Sequence, residues 1–183
     1  MIPGGIMKHA AIRPILILTA CMVFLLGGIS VLPAAETAKK TDESGWILPD
    51  SALGGTWHLR LKDARAEATK DDKPILILFT GPDWSSASKK MESSIIRSKE
   101  FTASIRPAVV GLYIRHFADA DAPEAQLEAN SSLRKALNVP PVYPCTVLLG
   151  PDGKKILGIL PGLPEKKAYL DWIAELAGIK LDK

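Results

Sequence analysis

The sequence predicts an α/β domain, a short mixed central sheet with helices on both faces. Three observations carry this reading. Ile75-Leu76-Ile77-Leu78-Phe79 is an unbroken apolar run, too short for a buried helix and suited to a strand covered on both faces. Segments on either side of it repeat their apolar residues at helical spacing. Pro151-Asp152-Gly153-Lys154 separates two apolar stretches as a hairpin turn. Helices alternating with strands, then a hairpin, give a sheet with both parallel and antiparallel neighbours.

Residues 1–35 are set apart from that domain. Lys8 and Arg13 precede an apolar run from Pro14 to Leu32, which closes on Pro33-Ala34-Ala35-Glu36. A basic start, an apolar middle and small residues at the end describe an export signal. At about 19 residues the run also suits a single membrane anchor. Leu18-Thr19-Ala20-Cys21 resembles a lipoprotein box, which would put a lipid on Cys21. All three alternatives place the domain outside the cytoplasm, in a periplasmic or other extracytoplasmic space. Residues 36–56 are polar and then rich in glycine and small residues, so they read as a linker, with the domain over 57–183.

Within the domain, Leu61, Ala64 and Ala68 share one helix face, and Asp71-Asp72-Lys73-Pro74 stops that helix. The strand at 75–79 follows, and Thr80-Gly81-Pro82-Asp83 turns the chain. Ala87, Met91 and Ile95 mark a second helix beginning near Ser85. Val109 to Ile114 is a second buried strand. After a loop containing Asp119 and Asp121, Leu133 and Leu137 sit on a third helix. Val139-Pro140-Pro141-Val142-Tyr143-Pro144 is extended, because prolines and the residues before them avoid helix. Thr146 to Leu149 is a strand and Lys155 to Leu160 its hairpin return. Leu170, Ile173 and Leu176 line a last helix ending near Gly178.

Composition narrows the function classes. The formal charge is +3 with no Lys/Arg cluster, which removes the electrostatic case for nucleic-acid binding. Two cysteines and three scattered histidines are too few for an all-protein zinc site, and no metal or cofactor is expected. Without residues 1–35 one cysteine remains, Cys145, so an exported domain has no internal disulfide.

Phe79-Thr80-Gly81-Pro82-Asp83-Trp84 resembles the strand and turn that lead into the active-site helix of thioredoxin-like proteins. Val142-Tyr143-Pro144, a strand and Pro151-Asp152-Gly153-Lys154 resemble their cis-proline loop and terminal hairpin. The likeness covers roughly residues 57–178. Redox-active members carry Cys-x-x-Cys directly after that tryptophan, whereas here the four residues are Ser85-Ser86-Ala87-Ser88. Dithiol exchange needs a thiolate at the helix start and a second thiol to resolve the mixed disulfide. The resemblance puts serine at both sulfur positions, Ser85 and Ser88, and Phe79 where some thioredoxins bury an acid. It therefore implies the fold without that chemistry.

Other roles remain for these residues. Ser85 is suited to capping the second helix. As a nucleophile it would need His116 as base, oriented by Asp83 or Asp119, and no Gly-x-Ser-x-Gly elbow is present. Cys145 reads as a small buried apolar residue, or as a one-thiol exchanger without a resolving partner. In the resemblance, Trp84, Val142, Tyr143 and Pro144 flank the groove where the family grips an extended polypeptide by strand addition. The expected function is an exported polypeptide-binding, assembly or chaperone-type module whose partner is an extended polypeptide or an envelope protein. The alternatives are a thiol-disulfide oxidoreductase-family protein acting through Cys145, and a tethered structural domain.

Overall fold

The computed structural model describes residues 40–118 and 122–181. Five strands form one sheet: β1 (Trp57–His58), β2 (Ile75–Thr80), β3 (Val110–Arg115), β4 (Cys145–Leu149) and β5 (Ile156–Pro161). Their spatial order is β1-β3-β2-β4-β5. β1 and β2 run parallel to β3, while β4 is antiparallel to both β2 and β5. The expected mixed sheet is thus present. β1 is an addition to the sequence reading, because two residues carry no periodicity.

Side-chain alternation along the strands divides the core in two. Ile75, Ile77 and Phe79 of β2 pack with Ala64 and Ala68 of α1 (Leu61–Asp71) and with Leu133 of α3 (Glu124–Ala136). Leu76 and Leu78 pack with Met91 of α2 (Ser86–Met91) and with Tyr169 and Ile173 of α4 (Lys166–Ala177). All six β2 residues are buried, which explains why that strand reads as a continuous apolar run. α1 ends where predicted, with Asp72 in the left-handed region at φ 50°. α2 continues through a wider turn over Glu92–Ile96. Two further helical turns, Phe101–Ile105 and Arg106–Ala108, precede β3 and were not anticipated.

Residues 40–56, expected to be a linker, are packed onto the domain. The Ile47 backbone N–H donates to Gln126 Oε1 at 2.8 Å, and Gln126 Nε2 donates back to the Ile47 carbonyl at 3.2 Å. Arg60 lies 4.0 Å over the Trp46 ring and pairs with Asp42 at 2.8 Å. Leu53 is fully buried in the α2–α4 half of the core. Trp46, Ile47 and Leu53, three buried apolar side chains tied in this way, are unlike a free spacer. The apolar run from Pro14 to Leu32 and Cys21 lie outside the described residues. No helix among the described residues is long and apolar enough to cross a membrane.

Candidate functional site

β2 and β3 end side by side, and the turns that follow them converge on the loop preceding β4. The His116 N–H donates to the Thr80 carbonyl at 2.7 Å, extending the parallel ladder one step beyond the strands. Trp84 Nε1 donates to the His116 carbonyl at 2.9 Å. The Trp84 and Tyr143 rings meet edge to face at 5.2 Å, and the His116 ring stacks on Tyr143 at 5.1 Å. Arg115 Nε donates to Asp83 Oδ2 at 3.0 Å, tying the turn after β2 to the end of β3. The Tyr143–Pro144 peptide bond is cis, as the family resemblance implies.

Ser85 caps α2: the Ser88 N–H donates to its Oγ at 3.2 Å, and Oγ donates to the Tyr143 carbonyl at 3.4 Å. Ser88 is fully buried, and its Oγ accepts from the Gly81 N–H at 3.2 Å. The two hydroxyls therefore link the turn, the helix start and the 142–144 loop. The Ser85–His116–Asp83 arrangement is not assembled. Ser85 Oγ is bonded to backbone groups, the His116 ring is stacked on Tyr143, and Asp83 is held by Arg115. Asp119 lies outside the described residues.

Cys145 begins β4 and is 0% exposed. Burial pushes its thiol up to about 11, partly offset by the Arg134 charge. A buried neutral thiol is neither nucleophilic nor accessible. Trp84 is instead 46% exposed and Val142 42%, both large apolar side chains open to solvent beside Tyr143. Among the described residues no acceptor is bonded to the Tyr143 N–H.

Two features of this region escaped the sequence reading. Glu92, four residues after Ser88, is buried, and its Oε1 accepts from Thr80 Oγ1 at 2.8 Å and from the Tyr113 hydroxyl at 3.0 Å. Burial raises the Glu92 carboxyl above the usual carboxylate range despite those hydrogen bonds and the nearby Arg97 and Arg115 charges. The second feature is Arg134 of α3, which donates to the Tyr143 hydroxyl and, through Nε, to the Val139 carbonyl at 3.4 Å. Among the described residues no group of three or more His, Cys, Asp or Glu side chains is placed to hold a metal.

No protein-family model matches the chain. Two curated proteins of Chlamydia pneumoniae are similar to it. The thioredoxin-related protein DsbJ is 23% identical over 70% of this chain and 34% of its own length. The disulfide bond reductase DsbH is 30% identical over 55% of this chain and 61% of its own length. The chain thus spans between a third and two thirds of the curated relatives it matches. Among solved structures, a DsbH oxidoreductase superposes with a TM-score of 0.61 at 22% identity, covering 80% of this chain and 96% of that one. A thioredoxin from Thermus thermophilus gives 0.53 at 16% identity, over 67% and 88% of the two chains. The fold is thioredoxin-like.

Proposed function

We propose that this chain is an exported thioredoxin-like protein that has exchanged dithiol chemistry for polypeptide binding. The observation that carries the binding is the open side of the 142–144 loop. There Trp84, in ring contact with Tyr143, and Val142, its chain neighbour, stand exposed near a Tyr143 N–H that no described residue accepts from. A loop held by a hydrogen bond to the helix start, with an unpaired donor and exposed apolar neighbours, suits an extended strand, which supplies a carbonyl and alternate side chains.

The loss of exchange chemistry rests on Ser85 and Ser88 standing where the family's redox cysteines fall. A hydroxyl at a helix start is not ionised near neutral pH and forms no disulfide. Burial of Cys145 argues against the one-thiol alternative. Export rests on the Lys8–Ala35 pattern.

The test pairs two assays on the unaltered full chain and on a Ser85→Cys/Ser88→Cys double variant. Extended apolar peptides should bind to both, and Trp84→Ala should weaken that binding. Insulin disulfides should be reduced by the double variant alone. Disulfide reduction by the unaltered chain refutes the loss of exchange chemistry. Absence of peptide binding by every form refutes the groove.

A further inference from the structure

Behind the aromatic cluster, between the end of β3 and α3, lies a small cavity of about 50 Å³ whose polar lining is Arg115, His116, Asn130, Ser131, Arg134 and Tyr143. One water needs about 10–15 Å³ of such space, so the cavity has room for a carboxylate-sized group. Arg134 and Ser131 also line a wider depression of about 570 Å³ that carries Lys135 and Asn138. The small cavity therefore shares its wall with a broad, solvent-facing mouth.

The charge of this region is one-sided. Neither lining contains an aspartate or glutamate. Arg115 is balanced by Asp83, and the Asn130 amide is spent on the Arg115 carbonyl at 2.9 Å. Arg134 is different. Its hydrogen bonds run to two neutral oxygens, the Val139 carbonyl and the Tyr143 hydroxyl, and its guanidinium lies 4.7 Å from the centre of the Tyr143 ring. No carboxylate among the described residues pairs with it. Burial lowers the His116 pKa, and the Arg134 charge lowers it further, as a positive field with no counter-ion should. A half-buried guanidinium with spare donors is a site for a planar anion, which it binds through two parallel hydrogen bonds.

We propose that Arg134, with His116 and Tyr143 beside it, forms a carboxylate-binding pocket adjoining the peptide groove. That the carboxylate is carried by an extended polypeptide rests on the groove reading above. Tyr143 joins the two, since its backbone lines the groove and its ring and hydroxyl line the pocket. The carrier group is then an aspartate or glutamate side chain of the bound strand, or its C-terminal carboxylate.

The pocket is tested first without a peptide. Sodium propionate and its neutral isostere propionamide are titrated into the isotopically labelled full chain, following the Arg134 Nε–H and Trp84 indole N–H resonances. Propionate should give saturable shifts and propionamide none. The response should disappear in Arg134→Gln and persist in Lys154→Gln, which lies in the β4–β5 turn and lines neither cavity. Because the two probes are compared on the unaltered chain, the result stands even if Arg134→Gln fails to fold.

Extended decapeptides with Glu or Gln at each position, and with free or amidated C-termini, then identify the carrier. A charge-assisted pair predicts a loss of about tenfold or more when the seated carboxylate becomes an amide. Loss at one internal position identifies a side chain, and loss on amidation identifies the C-terminus. Equal responses to propionate and propionamide overturn the pocket, whether or not peptides bind. Propionate shifts without any peptide binding uphold the pocket and refute the groove.

Discussion

Glu92 offers the most direct test of how this core is held together. Its carboxyl is 5% exposed and accepts two hydrogen bonds on one oxygen, from side chains that are themselves buried, Thr80 and Tyr113. Replacement by alanine leaves both hydroxyls without that acceptor, at about 1–3 kcal/mol each, so Glu92→Ala should destabilise the domain by roughly 2–6 kcal/mol. Glu92→Gln keeps the accepting oxygen and removes the titration. Burial raises the folded-state pKa of Glu92 above its unfolded value. The unfolded chain therefore releases this proton at lower pH than the folded chain. The stability contributed is fully present below the unfolded pKa and is lost as pH rises through the folded pKa. Between those two values the slope reaches at most about 1.4 kcal/mol per pH unit. Urea unfolding of the wild-type chain and Glu92→Gln between pH 4 and 8 reads this out. The variant should gain on the wild type as pH rises and then level off. Parallel curves, or a wild type that gains on the variant, refute a folded-state pKa raised by burial.

Other consequences follow from the same geometry. Cys145 should react with a thiol reagent only after denaturation, because it is fully buried and its pKa is pushed up to about 11; stoichiometric labelling of native Cys145, located by peptide mapping to keep it apart from Cys21, contradicts this. A Cβ at Gly81 would meet the Trp84 ring at 2.5 Å, so Gly81→Ala should displace the indole. The Trp84 indole N–H resonance should then move towards its solvent-exposed position and peptide affinity fall, whereas an unchanged resonance refutes the contact. Ser85→Ala loses a helix cap worth about 1 kcal/mol. Ser88→Ala leaves the buried Gly81 N–H without its acceptor, at about 1–3 kcal/mol. Denaturant midpoints should therefore rank Ser88→Ala as the less stable variant.

The legible parts of the fold were those where one local rule acted alone. β2 is buried on both faces and reads as an apolar run. The hairpin turn carries Gly153 at φ 62°, and the last helix ends on Gly178 at φ 66°. Ser85 reads as a cap and is one. Polar side chains inside an apolar stripe were the ones that carried no local signal. On the helix after the turn, Ser88, Met91, Glu92, Ile95 and Ile96 form an i, i+3, i+4, i+7, i+8 stripe, and all five are buried. Glu92 is the charged member of that stripe, and its place there, not its residue type, is what marks it as buried. Gln126 and Asn130 likewise share a helical face with Leu133 and Leu137, and they hold the Ile47 backbone and the Arg115 carbonyl. The packing of residues 40–56 depends on that Gln126 contact across 79 positions of chain, which no local window contains. Arg134 was invisible for the same reason, since its meaning lies in Tyr143, nine residues on and in another loop.

The same atoms decide whether serine at 85 and 88 is a defect or a different solution. A thiol is a weak hydrogen-bond donor and acceptor, so a dithiol leaves the helix start, the Gly81 turn and the 142–144 loop loosely joined and its sulfurs available to react. Hydroxyls reverse both properties. Ser85 Oγ accepts from the helix and donates to the Tyr143 carbonyl, while Ser88 Oγ anchors the Gly81 N–H. On the proposed reading, three hydrogen bonds stand in place of a reactive pair, one of them reaching the loop that carries Tyr143 and two tying the helix start to itself and to the Gly81 turn. A strand-binding edge gains from this, because order present before binding is not charged against affinity. The oxygen atoms are thus consistent with a groove that holds a polypeptide without reacting with it.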